Sequence, residues 1–209
     1  MMNILLQSAK SINIKPPSFI YFFGDSITQG VGATSNIYRY STLVSSELSI
    51  NELNGGLSGS ALQESTSSVE DGINRYEIIN SYPRDAIIVI LYGINDCIKN
   101  TTINADFNGY ERDIREIISS IINFKYKNRI FLCSLTPNSN LNATGISMLN
   151  SINQLNKDIS EEFNISFIDV YQHLEDNGGV TNFPDGTHPN NTGHQLIADV
   201  IKSKIMTII

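Results

Sequence analysis

The chain has 209 residues, of which 41% are hydrophobic and 17% charged, and its formal net charge at pH 7 is −7. This length is enough to enclose one hydrophobic core, and the balance of apolar and charged residues is typical of a folded globular protein rather than a disordered chain. The negative charge and the scattered Lys and Arg residues argue against nucleic acid as a partner, because such binding requires a basic patch.

The N-terminal residues contain no long apolar stretch of the kind found in secretory signals, and no segment reaches the roughly 20 apolar residues of a membrane-spanning helix. We therefore expect a cytoplasmic protein with no membrane span; a secreted protein whose signal had been removed would have the same features. Because no repeat, linker or change of composition divides the chain, residues 1–17 are predicted to be an N-terminal extension and residues 18–209 a single domain.

Short apolar runs rich in β-branched and aromatic residues alternate with longer segments of helical periodicity. In chain order, the pattern predicts a strand at 19–23, a helix at 38–48, a weak strand at 52–56, a strand at 86–92, a helix at 107–124, a strand at 129–135, a helix at 146–163, a strand at 166–170 and a helix at 192–205. The run AIIVILY at 86–92 is apolar without alternation, which is typical of a strand covered on both faces. Strands separated by helices predict right-handed crossovers, and so an α/β fold of three layers with about five mainly parallel strands between two layers of helices.

Four clusters of polar or glycine residues stand at the boundaries of these elements. They are GDSIT at 24–28, NGGLSG at 54–59, GIND at 93–96 and DGTHP at 185–189. Each alone has an ordinary explanation as a helix cap, an Asx turn or a tight bend. Ligands bind outside the carboxyl ends of the strands in parallel sheets, and three of the clusters follow strands, so the combination predicts a site that contains a serine, an asparagine, an aspartate and a histidine.

The GDSIT, GIND and DGTHP motifs, taken together, resemble those of the SGNH/GDSL hydrolase family, and the resemblance covers the chain from about residue 20 to the last helix. Ile27 stands where the motif that names the family has Leu, which is a conservative apolar change. The resemblance implies a flavodoxin-like α/β/α sandwich. It also implies a catalytic triad in which Ser26 is the nucleophile, His188 the base and Asp185 the acid that orients the histidine. Serine needs such a base, because its hydroxyl is otherwise a weak nucleophile.

The same resemblance implies an oxyanion hole formed by the backbone N–H of Ser26, the backbone N–H of Gly59 and the side-chain amide of Asn95. Gly59 fits the glycine of the family better than Gly55 or Gly56 does, because it lies within Ser-Gly-Ser. Glycine suits the position, since a side chain would crowd a backbone that must approach the substrate.

A protein of this kind would hydrolyse carboxylic acyl esters through an acyl-enzyme, with no cofactor and no metal. The expected partner is a small-molecule or carbohydrate ester; the oligomeric state stays open. The compact chain leaves little room for a lid, which favours a short acyl group such as acetyl. Lysophospholipases, thioesterases and acyltransferases of the same family are the alternatives.

A metal-dependent phosphoesterase is a second possible enzyme, with Asp25, Asp96, Asp185 and His188 as ligands. No H-x-H or D-x-D pair supplies adjacent ligands, however. A metal site would also leave the serine and the asparagine of the motifs without a role.

A non-catalytic carbohydrate-binding or interaction module on the same fold is the alternative outside enzymes. Such a protein would be expected to have lost Ser26, Asn95 or His188. All three residues are present in the chain.

The remaining polar residues near the motifs are predicted to be structural. We expect Asp25 and Asp96 to accept hydrogen bonds that hold the loops, and His194 to be an ordinary surface or hydrogen-bonded residue. Cys97 and Cys133 lie at or near apolar runs and are predicted to be buried apolar residues rather than a disulfide.

Overall fold

A computed structural model describes residues 16–64, 70–99 and 106–209. The predicted N-terminal extension at 1–17 lies outside the described residues except for its last two. All neighbouring strands of the sheet are parallel, in the order β2-β1-β3-β4-β5. The strands are β1 (Phe19–Gly24), β2 (Asn51–Gly56), β3 (Ile87–Leu91), β4 (Ile130–Cys133) and β5 (Ser166–Ile168).

Helices connect the strands and follow the last of them. The α-helices are α1 (Ser26–Gln29), α2 (Tyr40–Leu48), α3 (Gly72–Arg75), α4 (Glu77–Ser81), α5 (Ile94–Ile98), α6 (Phe107–Ile121), α7 (Ala143–Phe163), α8 (Val170–Asp176) and α9 (Asn191–Ile205). Short 3₁₀ segments lie at Asn36–Tyr38, Lys127–Arg129 and Gly179–Asn182. Among the described residues, no helix combines the length and the apolar character that a membrane crossing requires.

Helices cover both faces of the sheet, which confirms the predicted three-layer α/β/α fold. α2 and α8 pack on α9, while α7 packs on α6 and α5. Every residue of β3 is buried, as its uninterrupted apolar run predicts. The buried apolar residues of α6 recur at helical spacing, which turns one face of that helix to the core; they are Tyr110, Ile114, Ile117, Ile118 and Ile121. Cys97 and Cys133 are free and buried, which confirms their prediction as apolar residues.

Two predicted boundaries are corrected by helix caps. The strand predicted at 166–170 ends at Ile168, because the side chain of Asp169 accepts a hydrogen bond from the backbone N–H of Gln172 (3.0 Å) and starts α8 at Val170. The helix predicted at 146–163 begins at Ala143. A local side-chain cap therefore outweighs the β propensity of a branched residue such as Val170.

The crossovers leave β1 in one direction and β3 in the other, because β2 lies on one side of β1 and β3 on its other side. Neighbouring strands whose connections diverge in this way leave an open crevice at their carboxyl ends. α1 follows β1 and α5 follows β3, so both short helices begin at this crevice.

The end of β2 lies directly against α1. A Cβ placed on Gly56 would be 2.1 Å from the backbone nitrogen of Gln29 and 2.6 Å from the carbonyl carbon of Thr28. Backbone atoms cannot rotate away as a side chain can, so only glycine allows this approach. The glycine therefore fixes the position of the short helix whose first residue is Ser26.

We expect Gly56→Ala to lower the free energy of unfolding by about 3 kcal/mol or more, because the added methyl group overlaps backbone that has no alternative position. Urea unfolding followed by circular dichroism measures the change. Asn51→Ala is the matched control, since Asn51 is the exposed first residue of the same strand, and its effect should stay within about 0.5 kcal/mol. Equal stability of the two variants would show that α1 does not depend on this contact.

Candidate functional site

Ser26 lies at the first position of α1, directly beyond the end of β1. Asp25 caps this helix, and its carboxylate accepts a hydrogen bond from the backbone N–H of Ile27 at 3.0 Å. The first N–H groups of a helix have no partner four residues back, so the N–H of Ser26 stays available at the helix start. Ser26 is 3% exposed.

Two hydrogen bonds join Ser26, His188 and Asp185 in one chain. The Oγ of Ser26 lies 2.9 Å from Nε2 of His188, and Nδ1 of the same ring lies 2.7 Å from Oδ2 of Asp185. The other carboxylate oxygen, Oδ1, accepts the backbone N–H groups of Thr187 (2.9 Å) and His188 (2.7 Å). The structure thus brings together three residues that the sequence motifs singled out, although 162 positions separate the serine from the histidine.

The charge of Asp185 determines which ring nitrogen carries the proton. Burial raises the pKa of this carboxyl group, but the hydrogen bonds from the backbone and ring of His188 and from the backbone of Thr187 outweigh burial and lower the pKa to about 2. Asp185 is therefore a carboxylate at neutral pH and accepts only, so Nδ1 is the donor and the lone pair of Nε2 faces the hydroxyl of Ser26. A hydroxyl, an imidazole and a carboxylate in this order are a set of groups able to activate a serine.

A loop after β4 holds the segment that carries Asp185. The backbone N–H of Ser139 donates to the carbonyl of Gly186 (3.0 Å), and the amide of Asn140 donates to the carbonyl of Asp185 (2.7 Å) and to the hydroxyl of Thr187 (3.0 Å). No motif marks these residues in the sequence. Their signal is position, because a polar run at the carboxyl end of a strand faces the same crevice as the motifs do.

Gly59 belongs to a segment that hydrogen bonds join to the end of β1 and to α5 with the residue after it. Leu57, two residues before it, donates its backbone N–H to the carbonyl of Gly24 at the end of β1 (3.1 Å), and the ammonium group of Lys99 donates to the carbonyl of Gly59. The amide nitrogen of Asn95 donates to the carbonyl of the next residue, Ser60 (2.9 Å).

The space beside Gly59 is open. This residue has a φ of +78°, and an added Cβ would have only the ammonium group of Lys99 within 4 Å, at 3.9 Å. The amide nitrogen of Asn95 carries two hydrogens and donates one of them to the carbonyl of Ser60. Asn95 is therefore bonded to the residue that follows Gly59, and its second amide hydrogen lies near the open space beside that glycine.

Asp96 holds the rest of this segment. It is fully buried and accepts the backbone N–H groups of Leu62 (2.8 Å) and Gln63 (3.1 Å). Burial raises the pKa of Asp96 to about 6 and that of Asp25 to about 7. Both residues accept backbone N–H groups, as predicted for structural aspartates. The described residues contain no group of three His, Cys, Asp or Glu side chains that could hold a metal ion.

His194 ties α9 to the loop that follows α1. Its Nδ1 accepts the backbone N–H of Tyr40 (3.3 Å), and its Nε2 donates to the carbonyl of Val31 (3.2 Å). Burial lowers the pKa of His194 to about 4, so the ring is neutral at pH 7. Of the two alternatives predicted for His194, a surface residue or a hydrogen-bonded one, the structure confirms the second, since the ring is buried and bonded at both nitrogens.

Solved structures of several proteins share this fold. The chain is 21% identical to a member of the lipolytic protein G-D-S-L family from Veillonella parvula, with 91% of this chain and 97% of that one covered and a TM-score of 0.69. It is 21% identical to an acetylxylan esterase from Geobacillus stearothermophilus (92% and 95% covered, TM-score 0.71). It is 19% identical to an α/β hydrolase enzyme from the metagenome of Lake Arreo (93% and 97% covered, TM-score 0.72). Among curated proteins, none matches the sequence.

These structural likenesses show that the chain shares the three-layer α/β/α fold of those proteins. The sequence profile of the family described as GDSL-like Lipase/Acylhydrolase matches residues 20–201. The chain belongs to this family and is an ester-hydrolysing enzyme, which confirms the resemblance drawn from the motifs.

We expect His194 to make a contribution to stability that is lost as the pH falls from 6.5 to 4, because its ring is neutral in the folded state. Over this range the unfolded chain binds a proton at His194 (ordinary pKa 6.5) that the folded chain, with a pKa of about 4, does not bind, so the contribution of His194 to stability declines with falling pH. His194→Gln should reduce this decline by up to about 3 kcal/mol.

Urea unfolding of both proteins at pH 7, 5.5 and 4.5 provides the measurement. Asp25 and Asp96, whose raised pKa values act with the opposite sign, are present in both proteins, so their contributions cancel in the difference. If the free energy of unfolding changed with pH in the same way in the wild type and in His194→Gln, His194 would not be neutral in the folded protein.

Proposed function

We propose that this enzyme removes short acyl groups, acetyl above all, from a carbohydrate or other small alcohol, with Ser26 as nucleophile, His188 as general base and acid, and Asp185 as the group that orients the histidine. One observation carries the proposal, namely the chain of hydrogen bonds of 2.9 and 2.7 Å from the serine hydroxyl through the imidazole to the carboxylate. No cofactor is required for this chemistry.

In the first half of the proposed reaction, the Oγ of Ser26 attacks the ester carbonyl carbon while Nε2 of His188 takes the hydroxyl proton. Asp185, charged because its pKa is about 2, stabilises the imidazolium through Nδ1–H. The tetrahedral intermediate then collapses: the bond to the alcohol breaks, and the proton on Nε2 passes to the leaving oxygen. The product is an acyl-enzyme on Ser26.

In the second half, water attacks the acyl carbon and gives a proton to Nε2 of His188. The intermediate expels Ser26 Oγ, which regains that proton, and the carboxylic acid leaves. His188 is 24% and Asp185 57% exposed at the side chain, so water reaches this side of the site without a conformational change.

The developing negative charge on the carbonyl oxygen would be met by three donors: the backbone N–H of Ser26 at the start of α1, the backbone N–H of Gly59 and the amide of Asn95. Donors fixed before the reaction stabilise the transition state more than water does, because they need no reorientation. The hydrogen bond from the Asn95 amide to Ser60 supports this assignment, since it fixes two of the three donors relative to each other.

The choice of a short acyl group rests on size. A chain of 209 residues that already forms five strands and the helices around them has few residues left for a lid over a long acyl chain. The structural likeness to an acetylxylan esterase supports the proposal of an acetylated carbohydrate as the substrate.

We expect Ser26→Ala to abolish turnover of p-nitrophenyl acetate, with a loss in kcat on the order of a millionfold, because removal of a catalytic serine leaves no nucleophile. A fluorophosphonate probe should label the wild type and not the variant. Ser119→Ala, an exposed serine on α6, is the matched control and should label normally. Activity of folded Ser26→Ala within about tenfold of wild type would overturn the proposed nucleophile.

We expect kcat/KM for p-nitrophenyl esters to fall by at least about tenfold between acetate and octanoate, because a small acyl subsite excludes the longer chain. Acetylated xylooligosaccharides should release acetate at a rate that depends on Ser26. A rate that rises with chain length, or preference for a lysophospholipid or an acyl thioester, would contradict the acetyl assignment while leaving the serine mechanism in place. Acetyl transfer to an added alcohol in preference to water would instead indicate an acyltransferase.

A further inference from the structure

A single guanidinium group connects the carboxyl ends of the three strands that surround the site. Arg75, the last residue of α3, donates from Nη1 to the carbonyl of Gly55 in β2 (3.2 Å) and from Nη2 to the carbonyl of Gly24 in β1 (3.3 Å). Nη2 also donates to the hydroxyl of Tyr92, the residue directly after β3 (2.8 Å). The guanidinium carbon lies 5.3 Å from the ring centre of Phe23, which adds a cation–π contact.

The hydrogen bonds continue from Arg75 in one direction. Arginine only donates, so the hydroxyl of Tyr92 accepts from it and has its own hydrogen free for the hydroxyl of Ser60, its other partner. The hydroxyl of Ser60 in turn donates to the carbonyl of Glu70 (2.6 Å). Each hydroxyl in this chain accepts one hydrogen bond and donates one.

Ser60 is the residue at which this chain meets the proposed oxyanion hole. Its side chain is held by Tyr92, its backbone carbonyl accepts the amide of Asn95 at 2.9 Å, and its backbone follows directly on Gly59. Ser60 is 4% and Tyr92 1% exposed, so water cannot replace these bonds. Ser60 therefore holds two of the proposed oxyanion donors, and Tyr92 in turn holds Ser60.

We propose that Arg75, Tyr92 and Ser60 are positioning residues for the oxyanion hole, and that their hydrogen-bond chain fixes the amide of Asn95 and the backbone N–H of Gly59 where charge develops on the substrate. The inference rests on the proposed function, since it needs Asn95 to be an oxyanion donor. Arg75 belongs to no motif that the sequence singled out, and Tyr92 and Ser60 stand there only as the last residue of the strand predicted at 86–92 and the residue after Gly59. A displacement of a donor by a fraction of an ångström weakens its bond to the oxyanion, whose optimal distance is narrow, about 2.7–3.1 Å.

Tyr92→Phe is the smallest substitution that breaks the hydrogen-bond chain from Arg75 to Ser60. The phenyl ring keeps the edge contact with Phe23, whose ring centre lies 5.0 Å away, and only the hydroxyl is lost. We expect kcat for p-nitrophenyl acetate to fall by about tenfold with KM within about twofold, because the donors act on the transition state and not on the bound ester. Affinity for phenylboronic acid, whose serine adduct is tetrahedral, should fall in parallel with kcat.

Tyr76→Phe is the matched control. Tyr76 is also buried, but its hydroxyl donates to Glu116, away from the site, so kcat and boronic acid affinity should not change. If the tyrosine hydroxyl had only a structural role, its removal would lower the unfolding midpoint but would not lower kcat while leaving KM unchanged. Ser60→Ala removes the next link and should reproduce the Tyr92→Phe kinetics, which keeps the inference testable if one variant folds poorly.

Asn95→Ala separates failure of the inference from failure of the proposed function. This variant should lose kcat by roughly a hundred- to a thousandfold with KM little changed. If Asn95→Ala retains wild-type kcat, the proposed oxyanion role is wrong, and the inference falls with it. If Asn95→Ala is impaired but folded Tyr92→Phe is as active as wild type, the proposed function stands and the positioning chain is wrong.

The double variant tests whether the tyrosine acts through the asparagine. In the Asn95→Ala background, Tyr92→Phe should lower kcat by less than it does in the wild type, since part of what it positions is already absent. An equal loss in both backgrounds would show that Tyr92 acts independently of Asn95 and would overturn the inference.

Discussion

The divergence of the chain at β1 and β3 is the constraint on which the rest of the structure depends. These two strands are neighbours, yet their connections run to opposite edges of the sheet, so no crossover closes over their carboxyl ends. Two short helices start in the gap, one beginning with Ser26 and the other placing Asn95 in its first turn. Each presents backbone N–H groups that no residue four positions earlier can use. The topology thus leaves helix-start N–H donors at one place, and the proposed active site lies at that place.

The polar groups at this edge differ in how they are held. Asp185 and His188 sit on a partly exposed loop whose shape is set by hydrogen bonds from the segment after β4. Asn95 and Ser60 are buried and are fixed by bonds that water cannot reach. This division suits the proposed chemistry. Proton transfer through an imidazole tolerates solvent and needs access for water, whereas stabilisation of an oxyanion is strongest where water is excluded.

The sequence predicts the order and class of the elements because long apolar runs and helical periodicity depend only on local pattern, as in β3 and α6. It misses α1, α3, α4, α5 and α8, which have four to seven residues and are too short to show a period. The motifs single out Ser26, Asp185 and His188, and the structure brings these side chains into contact. Arg75 has no such signal, because its partners are backbone carbonyls of two strands and a distant hydroxyl, and these meet only after folding.

The charged groups around the proposed site bear on the reaction, because negative charge would develop there on the carbonyl oxygen of the substrate. Three aspartates lie at this edge, and anionic groups beside a developing oxyanion would oppose it. Burial raises the pKa of Asp25 to about 7 and that of Asp96 to about 6, and the charge of Asp96 raises the pKa of Asp25 further, so Asp25 is only partly ionised near neutral pH. Asp185, the one of these three aspartates whose pKa is lowered, faces the imidazole ring of His188. Arg75 adds a positive charge among the strand ends, and its attraction for the Asp25 carboxylate opposes the effect of burial. The same guanidinium thus anchors the strand ends and offsets the negative charge of Asp25.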